Sequence, residues 1–236
     1  MIDANQASIE ILEFFRKWEG YGPIAAAMAN NPEIDFFVAG GVVRDAFFGR
    51  LLKAKDIDIF LQGPGCVAAV GALAQHGSLE TGSFGAYEWT PNATSAVDCD
   101  IILVHKFFNG LWRCENMLDA LNQFDCTVNA LAVNLRTGDL MNPQNGRRDI
   151  STKTMRAVRF DYPNEPIVPD AILTRNSVLW WRLLHYAYLL DLEIEPVTRN
   201  WLVRHRDCES HRAEFEQTFH RIEDQALLPL NSCEQS

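Results

Sequence analysis

The sequence predicts an α+β fold: a mixed sheet flanked by helices, followed by a small helical appendage. Three observations predict it. Apolar runs of strand length alternate with segments of helical period through the first two thirds of the 236 residues. A proline-rich stretch, YPNEPIVP (162–169), then breaks the pattern. Beyond it every segment reads as helix. The expected domains are therefore 1–161, including N-terminal helices, and a helical 170–225.

Each element follows from its own pattern. Ile9, Leu12, Phe15 and Trp18 recur at helical spacing, so residues 6–18 are expected to form an amphipathic helix. An alanine-rich helix follows over 23–30 and ends at NNPE. Residues 35–39 read as a buried strand, Gly40-Gly41 as a turn, and 42–49 as a short helix stopped by Gly49. Strand 56–61 and a helix over 65–76, ended by HGS, come next. Segments 86–90 and 96–104 are strands and 115–122 a helix, and 126–134 pairs with 138–141 across the turn RTGD. Helices are expected over 170–190, 196–206 and 209–222. No internal repeat or low-complexity tract interrupts this order.

Composition narrows the class. Hydrophobic residues make up 47% and charged residues 22%, as in a soluble globular protein, and the length suffices for one core with a small second lobe. No apolar run is long enough to cross a bilayer, and the first twenty residues mix acids with apolar side chains and have no basic n-region, so neither membrane span nor signal peptide is expected. Six cysteines are scattered without a CxxC pair, which suggests reduced thiols and a cytoplasmic setting. A net charge of −10 argues against a broad nonspecific nucleic-acid footprint, though a local basic groove is compatible with it. Basic residues collect at Arg147, Arg148, Lys153, Arg156 and Arg159, and again at Arg199, Arg204, Arg206 and Arg212.

The candidate chemistry lies in FFVAGGVVRDAFFGRLLKAKDIDIFLQ (36–62). On a strand, residues two apart share a face, so Asp56 and Asp58 project together while Ile57 and Ile59 enter the core. Adjacent carboxylates repel unless a positive charge stands between them, and Mg²⁺ is commonly held by a few carboxylates plus substrate phosphates. VDCDIILV supplies a third carboxylate from either Asp98 or Asp100, which also share a face. Two such strands side by side make a three-carboxylate, two-metal site for in-line phosphoryl transfer. A lone DxD also fits the solvated edge of a strand. Two glycines leading a strand into a helix, with Arg44 on that helix, add a place for phosphate.

The pattern GGxVRDxxxGxxxxDxD, here Gly40-Gly41-Val42-Val43-Arg44-Asp45, Gly49, Asp56 and Asp58, resembles the signature of the class II nucleotidyltransferases, the family of tRNA CCA-adding enzymes and bacterial poly(A) polymerases. FDCTVNALAVN (124–134) is similar to the family's RRDFTINALA segment, with Asp125, Thr127, Asn129 and Ala130 in place. MNPQNGRRDI with TMRAVR, and LLHYAYLLDLEIEP, resemble two later segments, so the likeness covers roughly residues 35–196. It implies a DNA polymerase β-like head over 1–161 and a helical neck or partial body over 170–225. It also implies Asp56, Asp58 and Asp100 (Asp98 as the alternative) as catalytic metal ligands for two Mg²⁺, with Gly40, Gly41, Arg44, Asp125, Asn129 and Arg182 around an incoming nucleoside triphosphate, ATP or CTP. An RNA 3′ end, tRNA above all, is the implied acceptor and partner. A protein or small-molecule hydroxyl, and a non-catalytic nucleotide-binding head, are the alternatives.

The chain also departs from the family. Gln123-Phe124 stands where the family has an arginine pair, and Arg175-Asn176, Leu179 and Arg182 stand along its EDxxRxxR element, of which Arg182 alone is retained. No counterpart of the family's long tRNA-cradling body is expected after about residue 225. His205, Cys208 and His211 in HRDCESH could approach a zinc ion, but without a fourth ligand a polar helix face is the simpler expectation. Trp180 and Trp181 are expected to pack the neck helix rather than stack on a base.

Overall fold

The computed structural model describes residues 3–51, 56–82, 85–92, 97 and 99–231. Its chain folds as two compact units: Met1–Phe108 with Trp112–Asn122 and Asn129–Gln144, and Asn109–Leu111 with Gln123–Val128 and Asn145–Ser236. The segment 162–169 lies inside the second unit.

The first unit opens with α1 (Ala4–Lys17), capped by the Asp3 carboxylate accepting from the Gln6 N–H, and α2 (Tyr21–Asn30). The expected face of α1 is rotated. Ala7, Ile11, Phe15 and Trp18 are buried while Ile9 is exposed, because steps of four, four and three residues track the 3.6-residue turn more closely than a uniform step of three.

Strand β1 (Asp35–Ala39) leads into α3 (Gly41–Phe47), and β2 (Ile57–Gln62) into α4 (Cys66–Leu73). Strands β3 (Gly77–Thr81), β4 (Tyr87–Pro91) and β5 (Cys99–Leu103) follow, then α5 (Met117–Leu121), β6 (Ala132–Asn134) and β7 (Leu140–Met141). They form one sheet in the order β3-β4-β5-β2-β1-β6-β7. The β2–β5 pair is parallel and the other pairs are antiparallel. This is the expected mixed sheet. β3 was not expected, and the 126–134/138–141 hairpin pairs only through Ala132–Val133 and Leu140–Met141.

Alternation divides the central strands into two faces. Ile57, Ile59 and Leu61 of β2, Cys99, Ile101 and Leu103 of β5 and Trp89 of β4 are buried, and Asp58, Asp100 and Glu88 point the other way. Trp89 is fully buried and donates its Nε1–H to the Leu73 carbonyl at 3.0 Å, tying the sheet to the end of α4.

The second unit holds α6 (Gly146–Ser151), α7 (Arg175–Leu190), α8 (Pro196–Arg204) and α9 (Arg212–Thr218). A two-residue parallel pair, β8 (Thr154–Met155) with β9 (Glu193–Ile194), was not expected either. α7 starts later than residue 170, at the Thr174 cap, and ends at Asp191 in the left-handed region. Trp180 and Trp181 are fully buried within this unit and donate to the carbonyls of Leu202 (2.9 Å) and Cys208 (3.2 Å). Among the described residues no helix is long and apolar enough to cross a membrane, and Cys66, Cys99, Cys114, Cys126 and Cys208 are free thiols, all buried.

Candidate active site

Register builds the site. Ala39 of β1 pairs with Asp58 of β2, Asp58 with Asp100 of β5, Asp100 with Glu88 of β4, and Glu88 with Glu80 of β3. Directly paired residues share a face with Cβ atoms about 5 Å apart. Four carboxylates therefore run in a line across four strands. Asp58 and Asp100 are half-buried, and Glu88 and Glu80 are exposed. Asp56 lies just ahead of β2 and is exposed. Asp98, the alternative third carboxylate, lies outside the described residues.

Glu88 and Glu80 were missed by sequence reasoning. In YEWTP the alternation sets Glu88 opposite the buried Trp89 face, but its alignment with Asp100 depends on register between distant strands.

The glycine turn abuts this line. Ala39 is the last residue of β1, so Gly40 and Gly41 follow directly beyond the Ala39–Asp58 pair. Gly40 has φ 67° and ψ −127°, a conformation that disfavours any side chain. Its N–H donates to the Leu131 carbonyl at 3.1 Å.

Arg44, on the turn that follows, is buried. Its Nε donates to the Asp45 carboxylate and its Nη1 to the Asn129 Oδ1, both at 2.8 Å. Asn129 is itself buried. Two residues expected around the triphosphate are thus brought together, 85 positions apart in sequence. Through these bonds Arg44 positions the glycine turn's helix against the segment that leads into β6.

Within the second unit, the other expected pair also meets. Arg182 Nε donates to Asp125 Oδ2 at 2.6 Å, and Asp125 Oδ1 accepts from the Cys126 N–H at 2.7 Å. The Arg182 guanidinium lies 5.3 Å from the Tyr186 ring centroid, a cation–π contact. Burial works against the Arg182 charge, yet the Asp125 carboxylate beside it more than compensates and holds the guanidinium protonated. Burial, together with the Asp125 charge, pushes the Tyr162 phenol well above its ordinary value, and its hydroxyl donates to the Phe124 carbonyl at 2.7 Å.

The first basic cluster is largely neutralised in place. Arg156 pairs with Asp149, Arg159 with Asp161 and Lys153 with Asp191. Of the HRDCESH side chains, Cys208 is buried, His211 Nδ1 meets the Ser177 hydroxyl at 2.8 Å and His205 stacks on Trp201 with centroids 4.3 Å apart. These are packing roles.

Among the described residues no three His, Cys, Asp or Glu side chains stand close enough to hold a metal. The donor chemistry of the Asp58–Asp100 pair nevertheless fits a hard cation such as Mg²⁺, which takes one or two carboxylates and completes its shell with phosphates and water.

The fold that carries this site is shared with solved nucleotidyltransferases. No family model matches the sequence, and no curated protein matches it in sequence. Solved structures match it in fold. A tRNA nucleotidyltransferase complexed with a primer tRNA and an incoming ATP analogue aligns at a TM-score of 0.64 and 20% identity, covering 91% of this chain and 59% of that one. A CCA-adding enzyme in complex with CTP aligns at 0.67 and 18% identity, covering 98% and 55%. A CCA-adding enzyme with ATP aligns at 0.61 and 20% identity, covering 88% and 46%. The chain spans about half the length of these structures. What it shares with them is the α+β head, as the sequence resemblance to the class II group implied.

Proposed function

We propose that this protein is a Mg²⁺-dependent nucleotidyltransferase that moves a nucleoside monophosphate from ATP or CTP to an RNA 3′ hydroxyl, tRNA-like in kind. The observation that carries the reading is the pairing of Asp58 with Asp100 across parallel β2 and β5, beside the Gly40-Gly41 turn, on a fold shared with enzymes solved with ATP, CTP and primer tRNA.

Asp58 and Asp100 would hold the cation, with Asp56, just ahead of β2, the further ligand. When bound, the cation would neutralise charge on the triphosphate and lower the pKa of the attacking hydroxyl. Gly40 and Gly41 let a phosphate approach the backbone where a side chain would block it. Arg44, fixed by Asp45 and Asn129, keeps that turn in register with the carboxylates. The acceptor hydroxyl loses its proton to solvent as its oxygen attacks the α-phosphorus, a P–O bond forms there as the bond to the bridging oxygen breaks, and pyrophosphate departs. Asp125 and Arg182 belong to nucleotide binding in this reading, with Arg182 oriented by Asp125.

Wild type and Asp58→Ala are to be incubated with α-labelled ATP or CTP, Mg²⁺ and total RNA. Label in RNA with wild type and none with the variant is expected. Label in protein or small molecules would move the acceptor. Tight nucleotide binding without transfer to any acceptor would favour a non-catalytic head.

A further inference from the structure

Between Asp100 and Glu115 the chain has no acidic residue, although the whole protein carries 31 acids against 21 lysines and arginines. This stretch, IILVHKFFNGLWRC, continues from the strand that carries Asp100. His105, Lys106, Phe108, Trp112 and Arg113 are all exposed, Phe108 at 55% and Trp112 at 36%.

Both ends of the stretch are anchored in the first unit. Phe107 turns inward and meets Phe60 edge-on with centroids 5.6 Å apart, and its N–H donates to the Leu103 carbonyl at 3.0 Å. At the far end Cys114 is buried, and the Met117 N–H donates to Gln62 Oε1 at 2.7 Å. Lys106 is held as well: its Nζ donates to the Tyr87 hydroxyl at 3.1 Å and stands 5.3 Å from that ring's centroid. The outward side chains thus leave an anchored backbone in the order cation, aromatic, aromatic, cation.

Phe108, more than half exposed, and Trp112, about a third exposed, each forgo part of the burial that would stabilise the fold. Two such rings flanked by cations match the needs of an unpaired nucleic-acid strand, whose bases offer faces for stacking and whose phosphates need positive charge. A duplex, with its bases already stacked, has less use for the rings.

We propose that Lys106, Phe108, Trp112 and Arg113 form a stacking platform for the unpaired 3′ end of a nucleic-acid strand. The identification of that strand as the RNA acceptor rests on the nucleotidyltransferase reading above. The platform itself is tested without nucleotide.

Fluorescence anisotropy with dye-labelled single-stranded RNA, single-stranded DNA and blunt RNA duplex of matched sequence reads the binding. Wild type is expected to prefer the single strands, and Phe108→Ala/Trp112→Ala to bind them about tenfold more weakly or worse. A melting curve and calorimetry with ATP–Mg²⁺ check that this variant remains folded and nucleotide-competent. Lys106→Gln/Arg113→Gln should reduce the slope of log K against log salt by about 1.4, two phosphate contacts on a single strand.

Equal binding by wild type and the aromatic variant would overturn the platform, as would a preference for duplex. Wild type that binds ATP–Mg²⁺ but no oligonucleotide overturns it too, and leaves the nucleotide reading standing. RNA binding that depends on these side chains in a protein without affinity for any nucleoside triphosphate supports the platform and sinks the transferase reading instead.

Discussion

Arg44 illustrates how single side chains constrain this site. Its guanidinium is 7% exposed and serves Asp45 and Asn129 at once, a fork that Lys cannot reproduce. Arg44→Leu strips both partners of that contact and should cost about 3 kcal/mol of stability, with a smaller loss for Arg44→Lys. Urea unfolding at unchanged slope is the measurement, and a midpoint equal to wild type would show that the fork is dispensable. Asn176 poses the opposite case. It is 8% exposed and its Oδ1 has no hydrogen-bond partner among the described residues, so Asn176→Leu should raise stability by about 1 kcal/mol in the same assay. In the proposed function this residue and the buried Leu179 occupy the base-reading positions. A leucine has no polar group to leave unpaired by a wrong base, so ATP and CTP should be incorporated at rates within about tenfold of each other. A difference of several orders of magnitude would mean that other side chains read the base.

Among the elements, the β3–β4 hairpin is sensitive to a single methyl. A Cβ at Gly77 would stand 2.3 Å from the Thr90 carbonyl oxygen and 2.9 Å from Pro91 Cα, both backbone atoms. Gly77→Ala should therefore destabilise the first unit by about 1–3 kcal/mol, visible as a lower melting temperature. Neither this hairpin nor the β8–β9 pair was legible in the sequence. GSLET has one half-buried apolar residue on a sheet edge, and two-residue strands are made by distant partners rather than local pattern. The longer central strands were legible, because the buried apolar run of DFFVA and the period-two burial of IDI (57–59) and CDIIL are local signals. The same period put Asp58 and Asp100 each on a defined face of its own strand. Their alignment with each other and with Glu88 is a matter of register, which the sequence of one strand does not contain.

α7 carries a further element-scale expectation. The His220 ring lies tilted against His185 with centroids 3.7 Å apart, its Nε2 is buried without a partner among the described residues, and burial, aided by the Arg182 charge and opposed by Asp125, pulls its pKa down to about 4. The unfolded chain, with His near 6.5, binds the proton first. Stability is thus fully present above about pH 6.5 and is lost as pH falls towards 4. His220→Phe should flatten that part of the pH–stability curve, and an unchanged curve would place the acid sensitivity elsewhere.

At the scale of the whole molecule, charge decides how a nucleotide can bind. The protein carries a net −10, and one face of the sheet adds Asp58, Asp100, Glu88 and Glu80 in one line beside the glycine turn. A triphosphate approaching that face meets negative charge both at long range and at contact. Arg44 offers little relief, since its guanidinium is buried against Asp45 and Asn129. Repulsion of this kind is overcome by a cation that bridges phosphate and carboxylate oxygens, a role Mg²⁺ fills with few protein ligands. ATP and CTP should therefore bind measurably by calorimetry in the presence of Mg²⁺ and lose at least tenfold in affinity in EDTA. Raising the salt in EDTA should recover part of that loss by screening the long-range component, while leaving the contact repulsion in place. Equal affinity with and without the divalent ion would mean that the carboxylate line does not face the phosphates, and the assignment of Asp58 and Asp100 as metal ligands would fall with it.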